Sequence, residues 1–361
     1  MAVKRAQSKA APKSRPAVGA AVIGVGIGRA HLGGYAKSPD AKILAVCDIN
    51  PERARAAATE FGVEHVFSDY REMLKLDHLD AVSVCLPNYL HAAVTIKCLR
   101  AGKHVMCEKP LAMNAREGER MVRAARESGK ILMLAVNRRF QGETGLLKRF
   151  IDDGELGRIY FAKAGWLRRR GIPRGWFSVK QMAGGGPLID LGVHMLDLAW
   201  YLMGRPKPVR ASGVTYNEIG ARGADMGGWG VGHGGGKFDV EDLAAGLVRF
   251  EGGRAIQLEV SWASHIERDR TFLDLYGTKG GATLEPQFRI FADRQGVHVD
   301  MSPEAPRVSS YEMEIANFID SILGRAEPIA PAEDGLMVQR MLDAIYRSAS
   351  LGREVAVGGT E

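Results

Sequence analysis

The chain has 361 residues, 46% of them apolar and 25% charged, a balance that suits a soluble globular protein of two domains. No apolar run approaches the ~20 residues of a membrane-spanning helix, which excludes an integral membrane protein. The net charge of +7 does not indicate a nucleic-acid binder, because residues 1–16 hold five basic groups and no acid, leaving 44 basic against 42 acidic groups elsewhere.

Segment 1–16 is rich in Ala, Lys, Ser and Pro and is expected to be a disordered basic tail. It lacks the apolar stretch of a secretory signal, so a cytoplasmic location is expected. Ala20–Ile23 then reads as a strand that breaks into Gly24-Val25-Gly26-Ile27-Gly28, with Arg29–Ala36 helical behind it. Ile43–Cys47 reads as a strand ending before Asp48, and Pro51–Phe61 as a helix with proline in its first turn. Val66-Phe67, Ala81–Leu86, His104–Cys107 and Ile131–Ala135 continue the strands, and Tyr70–Leu76, His91–Ala101 and Ala115–Ser128 the helices between them. Short apolar strands alternating with helices imply parallel βαβ units, here a doubly wound Rossmann sheet over 17–138. Cys47, Cys85, Cys98 and Cys107 have no C-x-x-C spacing and read as reduced thiols, three of them in strand-like runs.

From 139 to 357 the pattern becomes that of an α+β domain on a mostly antiparallel open sheet. Arg158–Trp166, Val209–Tyr216, Leu243–Phe250, Arg254–Ser264 and Thr271–Gly277 read as strands, with turns at Glu251–Gly253 and Thr278–Gly281. A helix opens at Pro187 and ends at Gly204, and Tyr311–Leu323 and Glu333–Ser350 close the domain. Nine of the seventeen residues from Gly220 to Gly236 are glycine, which reads as a mobile loop.

Three groups of residues point to chemistry. The glycine turn, through Gly24, Gly26, Ile27 and Gly28, would let backbone N–H groups and a helix N-terminus meet a pyrophosphate. Its G-x-G-x-G spacing is one residue short of the usual form. Asp48, at the end of the second strand, would bond the adenosine ribose diol and repel a 2′-phosphate, which favours NAD over NADP. Pro87, Asn88 and His91, then Glu108 and Lys109, then Asn137 and Arg138 stand at the ends of three further strands, the rim where open α/β sheets bind ligands. On the helix after Gly184-Gly185-Gly186, Asp190, His194 and Asp197 fall at i, i+4 and i+7 and share one face. A polar stripe on so apolar a helix must be satisfied or used, and the residue types alone allow a catalytic base, a hydrogen-bonded core histidine or a metal site. No metal is expected. Trp166, Arg168 to Arg170, Arg174, Trp176 and Phe177 precede this helix and suit a sugar, glycoside or sugar acid, or else a structural Arg-rich loop.

The glycine turn with Arg29-Ala30-His31, Pro87-Asn88 with His91, Glu108-Lys109-Pro110 and the Gly-Gly-Gly…Asp190…His194 helix resemble the glucose–fructose oxidoreductase / inositol dehydrogenase / MocA (Gfo/Idh/MocA) family, from about Gly19 to Val357. The resemblance implies a nicotinamide-dependent oxidoreductase acting on one carbinol of a sugar, glycoside or cyclic polyol. Lys109, Asp190 and His194 match the family's catalytic trio. His194 would take the hydroxyl proton, Lys109 would hold the oxygen, and Asp190 would orient His194 or bind a neighbouring hydroxyl. The resemblance also implies a homodimer or homotetramer. Two alternatives remain open: an NAD-dependent glycoside hydrolase using transient C3 oxidation, and a catalytically silent NAD-binding regulator.

Overall fold

The computed structural model describes residues 17–173, 175–222 and 237–359. The expected tail, Arg174 and most of the glycine-rich loop lie outside them. Strands β1 (Val18–Ile23), β2 (Ala41–Cys47), β3 (His65–Phe67), β4 (Ala81–Val84), β5 (His104–Glu108) and β6 (Leu132–Ala135) form one parallel sheet in the order 3-2-1-4-5-6. Helices α1 (Gly28–Lys37), α2 (Pro51–Phe61), α3 (Tyr70–Met73), α4 (Asn88–Arg100) and α5 (Ala115–Ser128) make the crossovers. This is the doubly wound nucleotide-binding order, in which ligands settle at the carboxyl ends of the strands where the order reverses. β1 is buried along its whole length, as the central strand of a sheet covered on both faces must be. α2 starts on Asn50, whose side chain accepts from Glu52 N and Arg53 N, and stops on the left-handed Gly62.

A 3₁₀ turn, Asn137–Phe140, leads from β6 into α6 (Gly142–Asp152) and β7 (Ile159–Leu167). After α7 (Lys180–Ala183) a π turn over Leu188–Gly192 runs into α8 (Val193–Leu202). The uniform helix expected from Pro187 therefore opens on a wider turn, a form that recurs at functional sites. Strands β8 (Pro208–Tyr216), β9 (Leu243–Phe250), β10 (Arg254–Ser261), β11 (Arg270–Gly277), β12 (Gly280–Glu285), β13 (Arg289–Arg294) and β14 (Val297–Met301) follow. The chain ends with α9 (Ser310–Ile322), α10 (Ala332–Leu351) and β15 (Val355–Ala356). Nine strands form the second sheet in the order 14-13-12-11-7-10-9-8-15, antiparallel except where β10 runs parallel to β7. One core gathers around β1, β4 and β5, and a second around α8, β7 and β10. α9 returns to the first core, placing Ile315 and Phe318 in it and packing against Gly34 of α1, where a Cβ would stand 2.6 Å from Ile315 Cγ1.

Candidate active site

The glycine turn shows three local environments. Gly24 has φ +86°, and a Cβ there would lie 2.2 Å from Cys85 O, so only glycine makes this turn without strain. A Cβ on Gly26 would have no neighbour within 4 Å, which leaves its backbone open to a ligand. A Cβ on Gly28 would lie 2.6 Å from Val22 Cγ1, so α1 sits close on β1. These are the turn, approach and packing roles of a dinucleotide-binding loop, despite the shortened spacing. No side chain caps α1 and no acid stands in its first turn, so its N-terminal N–H groups suit a pyrophosphate. Ile27 is partly exposed on this turn.

Asp48 is nearly buried, and Oδ2 accepts from Val25 N at 2.9 Å while Oδ1 accepts from Asn50 N at 2.9 Å and Arg53 Nη2 at 2.7 Å. The carboxylate thus braces the glycine turn from below, a role the residue pattern did not disclose. The glycine environments and this carboxylate fit a bound NAD.

The other strand ends divide into working and supporting groups. Lys109, just past β5, donates from Nζ to Asp190 Oδ1 at 2.9 Å and to Asp190 O at 3.2 Å. The other Asp190 oxygen accepts from Trp262 Nε1 at 3.0 Å. Asp190 therefore holds Lys109, and none of its hydrogen bonds among the described residues runs to His194. His194 stands in the first turn of α8, half-buried, with Nδ1 inaccessible and without a hydrogen-bond partner. Its ring centroid lies 6.1 Å from that of Trp166. Burial, together with the positive charges of Lys109, Arg138 and Arg168, holds its pKa well below the ordinary value. The imidazole is accordingly neutral near pH 7 and able to take a proton.

Arg138 and Arg168 place their guanidinium carbons 4.7 and 5.3 Å from the Trp166 ring centroid, and Arg138 pairs with Glu285 at 3.0 Å. Asn137 opens the same 3₁₀ turn as Arg138. Trp176 stacks on Phe177 at 4.0 Å, and Arg170 forms a backbone bridge to Ala263 with its side chain exposed.

Four expected site residues make structural contacts. Asp197 shares the sequence face of Asp190 and His194, yet it lies one turn deeper and pairs with Arg139 through two hydrogen bonds of 2.9 and 2.7 Å. It is a structural ion-pair partner, not a substrate contact. Asn88 is buried and donates to Ala183 O at 2.7 Å, joining the nucleotide domain to α7. His91 is fully buried with ring nitrogens 2.7 Å from both Pro110 O and Leu86 O, so it holds together the loops that carry Pro87 and Lys109. Glu108 is buried against His31 Nε2 at 3.1 Å and accepts from Lys109 N, so it too acts from behind the rim.

Two residues escaped sequence reasoning. Trp262 follows β10 directly, without any local signature. Glu241 accepts from Gly186 N at 2.9 Å, Leu188 N at 3.0 Å and Tyr346 Oη at 2.7 Å, thereby satisfying the start of the π turn. The four cysteines are buried and free. Among the described residues no cluster of His, Cys, Asp and Glu could hold a metal, and no helix is long and apolar enough to cross a membrane.

Residues 18–136 match the oxidoreductase family with an NAD-binding Rossmann fold, and residues 145–283 match the GFO/IDH/MocA C-terminal domain. The chain is 36% identical over 344 residues to D-glucoside 3-dehydrogenase of Escherichia coli K12, covering 93% of this chain and 96% of that protein. It is 29% identical to myo-inositol 2-dehydrogenase of Thermotoga maritima, covering 92% and 97%. Among solved structures, levoglucosan dehydrogenase in complex with NADH and L-sorbose superposes with a TM-score of 0.84 at 26% identity, covering 95% of this chain and 99% of that one. Sheet order, glycine turn and sequence likeness together define an NAD-binding oxidoreductase. The chain belongs to the Gfo/Idh/MocA family.

Proposed function

We propose that the protein oxidises one carbinol of a sugar, glycoside or cyclic polyol at the expense of NAD, with His194 as general base and Lys109 as the oxygen clamp. The observation that carries this reading is the meeting of Lys109 Nζ with the Asp190 carboxylate at 2.9 Å, one turn ahead of an imidazole whose Nδ1 is orphaned. Carbinol oxidation needs a base for the hydroxyl proton and a cation for the charge that develops on oxygen. Bound NAD supplies the hydride acceptor. His194, kept neutral by burial and its cationic neighbours, takes the proton. Lys109, steered by Asp190 and through it by Trp262, faces the oxygen. Trp166 carries the guanidinium groups of Arg138 and Arg168 over its ring, an aromatic wall furnished with donors for sugar hydroxyls.

The names of the relatives, a glucoside 3-dehydrogenase, a levoglucosan dehydrogenase and an inositol 2-dehydrogenase, support a cyclic polyol as substrate. Asp48 supports NAD over NADP, since a carboxylate accepts from a 2′-hydroxyl and repels a 2′-phosphate. The nucleotide domain is placed at 17–138 and the substrate domain at 139–357, in a cytoplasmic protein with reduced thiols. A second copy of the chain would cover the outward face of the nine-stranded sheet, where Phe161 and Tyr276 pair at 5.7 Å and Val214 and Tyr216 are exposed.

The test is a panel of methyl glycosides, inositols and anhydrosugars offered with NAD and NADP while reduced nicotinamide is followed by absorbance. Steady NADH formation with a cyclic polyol supports the reading, and silence across the panel in both directions removes it. Nitrophenyl glycosides separate the hydrolase alternative, which would release nitrophenol without net NADH.

A further inference from the structure

Beside the Trp166–Arg138 wall a second recess opens, with a volume of about 540 Å³, within the ~300–1,000 Å³ range of small-ligand sites. It lies between the N-terminus of α6 and the ends of β12 and β13, and none of the catalytic groups lines it. Its walls carry Gln141, Glu143, Glu285, Gln287 and Arg289 around the ring of Phe288. Two amides, two carboxylates and a guanidinium supply both donors and acceptors, and one aromatic ring supplies an apolar face. Hydroxylated rings ask for that mixture, since each hydroxyl gives and takes a hydrogen bond while the ring C–H surface is apolar.

The recess is joined to the site. Glu285 is directly cross-strand from Leu273, which is itself cross-strand from Ala164 of β7, so its side chain shares the sheet face of Ala164 and Trp166. Arg138 bridges the two spaces, donating to Glu285 at 3.0 Å with its guanidinium carbon 4.7 Å from the Trp166 ring centroid. The His194 ring lies 6.1 Å from the Trp166 ring, the Trp166 ring 4.7 Å from the Arg138 guanidinium carbon, and Arg138 3.0 Å from Glu285, so a chain of contacts runs from the imidazole to the recess wall. Arg289 is held by Asp300 at 2.7 Å, which pre-orders part of the wall.

We propose that this recess is a subsite for a second monosaccharide ring, so that the physiological substrate is a disaccharide or a glycoside with a sugar aglycone. This rests on the reading of the catalytic site as a sugar dehydrogenase. Gln287 and Glu143 are exposed members of the wall and take no part in the catalytic or cofactor groups.

The experiment is calorimetric titration of the NADH-loaded enzyme with methyl α- and β-glucoside and with the eight α- and β-linked glucosyl-glucoses joined 1→2, 1→3, 1→4 and 1→6. It is run on the wild type, Gln287→Ala and Glu143→Ala, with turnover measured in parallel. At least one disaccharide should bind about tenfold or more tightly than the methyl glucosides, and either variant should weaken it by about fivefold to tenfold while leaving the methyl glucosides unchanged. Disaccharides that bind no better than methyl glucosides, or variants that weaken both classes equally, overturn the subsite. If disaccharide affinity falls in Gln287→Ala but no glycoside is turned over, the subsite stands and the dehydrogenase reading falls. If methyl glucosides are oxidised and the second ring adds nothing, the subsite alone falls.

Discussion

Lys109 and His194 are set on different domains, and the first shapes the chemistry of the second. An ammonium next to a half-buried imidazole opposes its protonation, so His194 stays neutral below the ordinary histidine value of 6.5. Replacing Lys109 by Met removes that opposition, and the His194 pKa should rise, as read by NMR titration of the free enzyme. An unmoved titration would place the ammonium away from the ring. In the wild type the acid limb of kcat/KM should lie below pH 6.5, because activity is lost only as pH falls through the depressed pKa of the base. His194→Ala should lower kcat by ~10²–10⁴ with NADH affinity close to wild type; a collapse of cofactor binding would assign the ring a different role. Asp48 carries two duties, bracing Val25 N and holding Arg53 at 2.7 Å. Asp48→Ser should free Arg53 and shift the NAD to NADP selectivity towards NADP by roughly tenfold or more, measured as a ratio of kcat/KM values. A constant ratio would take Asp48 out of the ribose site.

At the scale of the element, the turn between β1 and α1 allows a paired test. Gly24→Ala forces a side chain into a positive φ and against Cys85 O, which at about 1–3 kcal/mol of strain should lower Tm by roughly 2–12 °C. Gly26→Ala meets no protein atom, so Tm should hold while NADH affinity drops. Equal thermal losses in both variants would mean that Gly26 has a folding role. The same elements show what the sequence makes legible. Short apolar runs and period-3.6 patterning placed β1, β2, α2, α5, β9 and α10 to within a few residues, because each buries apolar side chains along its length. β12 to β14 went unseen, being short and partly exposed with no sustained alternation. Asp190, His194 and Lys109 were legible as polar residues in apolar settings or at strand ends. The partners that decide their roles were not, since Trp262 Nε1 reaches Asp190 from 72 residues away and only tertiary folding brings them together. Helical spacing put Asp197 with the wrong group because it records facing, not depth along the axis.

Across the whole molecule, a buried ion network lies where the chain leaves the nucleotide domain. Arg139, the first residue after the nucleotide domain, bonds Asp197 on α8 and Asp334 on α10, and Arg205 adds to Asp334 at 2.7 Å. Arg139→Ala would leave the buried Asp197 carboxylate unpaired and should cost about 3–5 kcal/mol in chemical denaturation. A loss below about 1 kcal/mol would show that the joint relaxes without the guanidinium. The Lys109–Asp190 contact itself joins the end of β5 to the π turn ahead of α8. The most direct measurement is a crystal structure of the protein with NADH and a cyclic polyol identified by the substrate panel. One carbinol oxygen should lie about 2.6–3.2 Å from both Lys109 Nζ and a ring nitrogen of His194. A productive complex in which either group is turned away from that oxygen would contradict the account.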